Sequence, residues 1–159
     1  MNVQTQVTRD MQGSPEALFA FATSPSGLAE TIRPVGPIPG VASATVLGDG
    51  PMGAGTLRKV ILTDKSTLDE EVLVLTAPSN HTYRVTGFSG FFGLLVRSAR
   101  AEWRFEPSAL GTTITWHYSF ELTSPAVALL AIPLVKLAMN KLMANTLKNI
   151  AARAPTLAE

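Results

Sequence analysis

Residues 125–153 read PAVALLAIPLVKLAMNKLMANTLKNIAAR, the one long segment with helical periodicity and no alternation of the β type. Nearly everything before it, from Val41 on, reads as short strands separated by Gly, Pro, Asp and Asn turns. A sheet-rich body followed by one long, largely apolar helix has few packing solutions: the helix lies against the sheet, and the sheet curves to receive it. At 1.5 Å per residue such a helix would run about 43 Å, ample to cross a sheet. Pro133 divides it, because the ring removes a backbone donor and crowds the preceding turn. The expectation is an apolar lead-in over 126–131, a main helix over 133–153, and Pro133 in its first turn or at a kink. At 100° per residue Ile132, Val135, Met139, Met143 and Ile150 share an arc that would face the sheet. Lys136 and Asn140 fall at its edge, either as rim residues reaching for solvent or as polar cavity contacts.

Upstream, VQTQVTRDM (3–11) alternates as a first strand. Ser14-Pro15-Glu16 is a helix start, with Ser14 as N-cap, and Leu28–Ile32 forms a second short helix beyond the break at Ser24–Gly27. Six further strands are expected near 41–48, 54–64, 67–76, 81–88, 95–106 and 112–122. Connections of two to five residues make them hairpins. The fold class is therefore α+β: a seven-stranded curved antiparallel sheet around a C-terminal helix, with two short helices between strands 1 and 2, in one domain over 1–159.

Composition narrows the function. A formal charge of +1 with 16% charged residues lacks the basic stripe of a nucleic-acid binder, so no nucleic-acid partner is expected. The chain has no cysteine, which suits a cytoplasmic location, and residues 1–30 show no signal-peptide pattern. Apolar residues concentrate at 88–96 and 126–135, but ten uncharged residues fall short of the ~20 a spanning helix needs. No transmembrane segment is expected; peripheral membrane contact and a homodimer both stay open. His81 reads as a turn residue and His117 as outward-facing, with no second ligand at metal spacing, so no metal and no cofactor are expected.

Side-chain parity supplies candidate residues. In the last strand Ile114, Trp116, Tyr118 and Phe120 share the core face. Its neighbour points Ala99, Ala101, Trp103 and Phe105 inward, and the small residues at one end leave room for a ligand beside the core. Trp103 reads as cavity wall and Trp116 as core. If Val60 and Leu62 face inward, so does Arg58; if Leu73 and Leu75 do, so does Glu71. Arg58 and Glu71 then form a polar anchor in an apolar cavity, or simply an ion pair at the rim. Tyr83 and Val85 point the same way. Met139 and Met143 suit an adaptable wall or a core stripe. The glycine-punctuated stretch VTGFSGFFGLLV (85–96) holds Phe88, Phe91, Phe92 and Leu95, more large apolar residues than a solvated turn carries; it reads as a lid over the cavity mouth, with packing on the apolar part of the terminal helix, a dimer contact or a membrane contact as alternatives.

Five short segments carry a resemblance: Gly55-Thr56-Leu57-Arg58, Leu68-Asp69-Glu70-Glu71-Val72-Leu73, Tyr83-Arg84-Val85, Trp103-Arg104-Phe105 and Thr112-Thr113-Ile114-Thr115-Trp116. In this order they resemble the polyketide cyclase/dehydrase-type members of the START / Bet v 1-like (SRPBCC) superfamily, whose fold is the helix-grip. The likeness covers almost the whole chain. It departs at Thr31-Ile32-Arg33-Pro34, where many relatives carry a Trp-x-Pro-Gly-like stretch, so the cavity entrance is expected to differ. The resemblance implies an apolar cavity between sheet and helix for a lipid- or polyketide-like hydrophobic molecule. Its ligand-binding residues would be Arg58, Val60, Leu62, Glu71, Leu73, Tyr83, Val85, Ala99, Ala101, Trp103, Met139 and Met143. The alternatives are a cofactor-independent cyclase or dehydratase, with Glu71, Tyr83 and Arg58 as catalytic candidates, and a membrane- or protein-interaction module.

Overall fold

The computed structural model describes residues 1–157. Strand β1 (Asn2–Met11) is followed by helices α1 (Pro15–Thr23) and α2 (Pro25–Thr31), then by β2 (Val41–Leu47), β3 (Leu57–Leu62), β4 (Thr67–Thr76) and β5 (Asn80–Thr86). A short helix α3 (Gly90–Leu95) precedes β6 (Val96–Pro107) and β7 (Thr112–Leu122). All seven strands join one antiparallel sheet in the order β1-β7-β6-β5-β4-β3-β2. This is the helix-grip architecture expected from the hairpin spacing and the terminal helix. The core lies between the concave face of the sheet and the C-terminal helical run.

Local chemistry sets the helix starts. Ser14 Oγ accepts the amide of Ala17 at 3.2 Å and Pro15 occupies the first turn. Ser24 works at two elements: its hydroxyl donates to the Phe21 carbonyl at 2.7 Å and accepts the Gly27 amide at 3.0 Å, closing α1 and capping α2. The corner is tight, for a Cβ on Gly27 would lie 1.8 Å from the Phe21 oxygen.

The C-terminal run is more divided than its sequence suggests. A 3₁₀ turn at Pro125–Val127 leads into α4 (Ala128–Pro133), a π-helical turn at Leu134–Met139, and α5 (Asn140–Arg153). Wide turns follow directly on Pro133, where the ring forbids the ordinary α bond. Buried positions accordingly recur at Ala131, Val135 and Met139, a spacing of four where a regular α-helix averages 3.6, before α5 returns to the ordinary pattern at Leu142, Met143, Thr146, Leu147 and Ile150. Ile132, placed on the buried arc by a regular helical plot, is instead 38% exposed. Neither Lys136 nor Asn140 enters the cavity. The Lys136 ammonium donates to the Gln4 carbonyl, and Asn140 Nδ2 donates to Thr5 Oγ1 at 2.8 Å and to the Gln6 carbonyl at 3.2 Å. Both fasten the helix to edge strand β1, and the run is long and apolar enough to cross a membrane by length and composition, yet it packs as the core helix of the sheet.

Replacing Gly27 with Ala should destabilise the protein by about 3 kcal/mol, since backbone must move. Calorimetry should then show a melting temperature lower by about 6–12 °C. Gly53→Ala, where a Cβ meets nothing within 4 Å, should change stability by less than about 0.5 kcal/mol.

Candidate ligand-binding site

The sheet and the helical run enclose a cavity of about 400 Å³, inside the ~300–1,000 Å³ range of small-molecule sites. Its walls come from four places. β3 and β4 contribute Val60, Leu62, Leu68 and Glu70; β5 and β7 contribute Tyr83, Val85, Trp116, Tyr118 and Phe120. The helical run gives Leu134, Met139 and Leu142, while Leu28, Ile32, Ile38 and Val41 close the side near α2. Phe88, Phe91 and Phe92 stand at the mouth.

The anchor is Arg58, 1% exposed. Its Nε and Nη2 donate to Glu70 Oε2 at 2.9 and 2.5 Å, and Nη1 donates to the Thr23 carbonyl at 3.1 Å. The partner expected from the sequence was Glu71, and that expectation is corrected. A bulge between Val72 and Val74 shifts the β4 register, so Leu75 and Val72, three apart, both face the core. Counting parity back from Leu75 across the bulge therefore lands one residue off. Arg58 is opposite Glu70 in the ladder. Glu71 lies on the outer face, where its Oε2 meets Arg84 Nη2 at 2.6 Å, and Leu73 sits at the bulge, outside the cavity lining.

Above the ion pair the polar groups converge. The Arg58 guanidinium lies 5.7 Å from the Tyr83 ring centre. The Tyr83 hydroxyl is 3.5 Å from that of Tyr118 and accepts Trp103 Nε1–H at 3.4 Å. Burial, reinforced by the Glu70 charge, pushes the Tyr83 phenol up to about 12. Tyr118 moves the same way, from burial first and then from Tyr83. Both phenols therefore stay protonated at neutral pH and act as hydrogen-bond donors. Trp116 Nε1, buried on the lining, has no hydrogen-bond partner among the described residues. Both Arg58 contacts use Glu70 Oε2, leaving Oε1 as an open acceptor. Among the described residues no three His, Asp or Glu side chains gather as a metal site.

Other expected residues are placed differently. Ala99 and Ala101 do face inward, but Ala101 lies between Tyr83 and Tyr118, and Ala99 between Val85 and Phe120; the larger neighbours form the surface and the alanines lie beneath it. Trp103 and Trp116 exchange roles. Their rings stack at 4.2 Å, with Trp116 on the lining and Trp103 behind it. Met143 is fully buried one turn beyond Met139 and is core, as is Leu95 under α3. The 88–95 stretch is less a loop than a helical turn: Phe88 and Phe92 pack inward against each other and Phe120, and Phe91 and Leu94 point out. His81, read as a turn residue, lies within β5, 2% exposed, its ring 4.9 Å from Tyr83. Neither ring nitrogen has a well-formed hydrogen bond. Burial and then the nearby Arg58 charge push its pKa down from 6.5 to about 3. The alternation His81-Tyr83-Val85 was the available signal for it.

The sequence matches, over residues 2–155, the family described as polyketide cyclase / dehydrase and lipid transport. The chain belongs to that family. No curated protein sequence matches it. Among solved structures, Ara h 8.0201 superposes with a TM-score of 0.68 at 15% identity, covering 98% of this chain and 99% of that one. Major latex-like protein 151 from Panax ginseng gives 0.69 at 11% identity, over 96% and 97% of the two chains. The di-domain ARO/CYC protein StfQ of the steffimycin biosynthetic pathway gives 0.75 at 13%, with 98% of this chain covering 52% of that protein. The present chain thus spans about half the length of the di-domain protein. At these identities the likeness establishes the fold.

His81 gives a stability test with a definite sign. Its folded pKa lies below the unfolded value, so the unfolded chain takes the proton first. Its contribution is complete above pH ~6.5 and is lost progressively as pH falls toward ~3. Urea unfolding at about pH 7 and about pH 5 should show a loss of about 2 kcal/mol from this residue. His81→Leu should lack that component, and equal pH dependence in the two proteins would refute the assignment.

Proposed function

We propose that this protein binds a small hydrophobic molecule, lipid- or polyketide-like, in the cavity between sheet and helix. The observation that carries the reading is a largely apolar space of about 400 Å³ whose buried polar groups are Glu70, Tyr83, Tyr118 and Trp116, the other polar residues of its lining, Asp64, Ser66 and Ser89, being less buried. Such a site favours a largely apolar body bearing oxygen at one end. The phenols and the Trp116 indole donate to a carbonyl, and Glu70 Oε1 accepts from a hydroxyl. The family description, which includes both polyketide cyclisation and lipid transport, supports the reading at the level of ligand class. Within it, the ligand contacts are Val60, Leu62, Tyr83, Val85 and Met139 from the expected set, with Arg58 acting through Glu70. A cytoplasmic location is part of this proposal and accords with the cysteine-free sequence.

A second reading, a cofactor-independent cyclase or dehydratase, draws on one feature. A carboxylate with an open oxygen beside two protonated phenols can remove a proton next to a carbonyl that the phenols polarise. If the protein is such an enzyme, Glu70→Gln should abolish turnover of a polyketide-like substrate and leave its retention in place.

Native mass spectrometry of freshly purified protein should reveal a retained small molecule. After its removal, 1-anilinonaphthalene-8-sulfonate should bind saturably with one site. Absence of both would overturn the binding proposal. Tyr118→Phe should weaken a carbonyl-bearing ligand about fivefold, the effect of one lost hydrogen bond. Arg58→Met and Glu70→Leu should each cost about 3–5 kcal/mol, because each strands a buried charge, and the double variant should be more stable than either single one.

A further inference from the structure

The apolar face of the C-terminal run is only partly used by the core. Its most apolar 18-residue window, with mean hydropathy 1.7, is 28% buried. Leu129 is 88% exposed, Leu137 71% and Leu130 59%. α3 packs against α4 and adds Leu94 and Phe91, exposed to 70% and 58%. Single exposed leucines are ordinary; five large apolar side chains grouped on two touching helices are not. Phe91 also belongs to the cavity mouth, so the patch and the entrance are continuous.

The two segments that carry the patch bear charge of one sign. No Asp or Glu occurs between Glu71 and Glu102, nor from Leu122 to Ala154, which are the segments that carry the patch. Lys136 and Lys141 flank Leu137 on the exposed side, and Arg97 follows α3. Glu121 on β7 is engaged by Arg97 at 3.5 Å and Ser98 at 2.8 Å, and Asp64 is an exposed carboxylate of the cavity lining. A second copy of the chain meeting this patch about a two-fold axis would set these cations against their own counterparts. An anionic lipid headgroup layer over an apolar interior matches the pattern instead: leucines reach the acyl boundary and lysines the headgroups.

We propose that Phe91, Leu94, Leu129, Leu130 and Leu137, rimmed by Lys136, Lys141 and Arg97, dock the cavity mouth on the surface of an anionic bilayer. The helix lies on the membrane and does not cross it, since its other side remains packed on the sheet. The proposal stands independently of what the cavity holds.

Co-sedimentation with phosphatidylcholine vesicles, alone and with about 30 mol% phosphatidylserine, tests it. Wild type should partition onto the anionic vesicles at least about tenfold better than onto the neutral ones. That advantage should shrink when salt is raised from ~0.1 to ~0.5 M. The double variant Leu129→Ser/Leu137→Ser, at exposed positions, should keep its melting temperature and lose about a hundredfold in partitioning. Leu47→Ser/Ile61→Ser, exposed apolar positions on β2 and β3 outside the patch, should bind vesicles as wild type does. Failure of wild type to sediment with either vesicle, or undiminished binding by the leucine variant, would overturn the proposal. So would a solution dimer abolished by the leucine variant in a protein that ignores vesicles, because the patch would then serve a second copy.

Discussion

A guanidinium cannot be buried at random. Arg58 carries a guanidinium into the interior, and the fold is arranged so that a carboxylate and a backbone carbonyl receive one hydrogen bond from each of its three nitrogens. That requirement fixes three pieces of chain at once. β3 must lie in register with β4 so that Glu70 is opposite; the end of α1 must present the Thr23 carbonyl; and the α1–α2 corner must be tight enough to hold it there. Ser24 and Gly27 make that corner possible. The charge also conditions its surroundings, adding to the burial that holds His81 neutral and lying beside the Tyr83 ring.

From this point the cavity follows by side-chain size. The concave face carries Trp116, Tyr118 and Phe120 on β7, and Ala99 and Ala101 of β6 lie beneath the larger neighbours as spacers. Volume is left between the aromatic surface and a helix whose methionine and leucines do not fill it. The polar groups of the floor are few and mostly donors, so the space is selective about where a bound molecule carries oxygen while tolerant of its apolar outline.

The order of elements and the fold were legible in the sequence because hairpin turns and a 29-residue helical period leave strong marks. The first helix start was equally plain from Ser14-Pro15; the second, expected at Leu28 beyond a break at Ser24–Gly27, begins at Pro25, because Ser24 caps it and Pro25 occupies its first turn. The site was legible only in part. Arg58, Tyr83, Val60, Leu62, Val85 and Met139 follow from uninterrupted alternation or helical spacing. Glu70 did not, because Asp69-Glu70-Glu71 offers three consecutive acids with no apolar residue between them to mark the face. The bulge that decides among them has no glycine or proline to announce it. Counting forward from Leu68, in place of backward from Leu75, reaches Glu70 correctly, since that path does not cross the irregularity. Trp103 and Trp116 share a face, and only three-dimensional layering tells which covers the other.

The π turn after Pro133 gives the C-terminal run two angular settings in place of one. Each residue of an α-helix advances about 100° around the axis, so one extra residue in the turn rotates all that precedes it against all that follows. The chain can therefore set Met143, Leu147 and Ile150 squarely on the sheet while aiming Leu129, Leu130 and Leu137 elsewhere. A strictly regular helix would have to carry both patterns in a single phase, and an improvement to one would tilt the other. The irregular turn acts as a coupling with a fixed offset: core packing and surface presentation can drift independently in sequence, each constrained by its own neighbours.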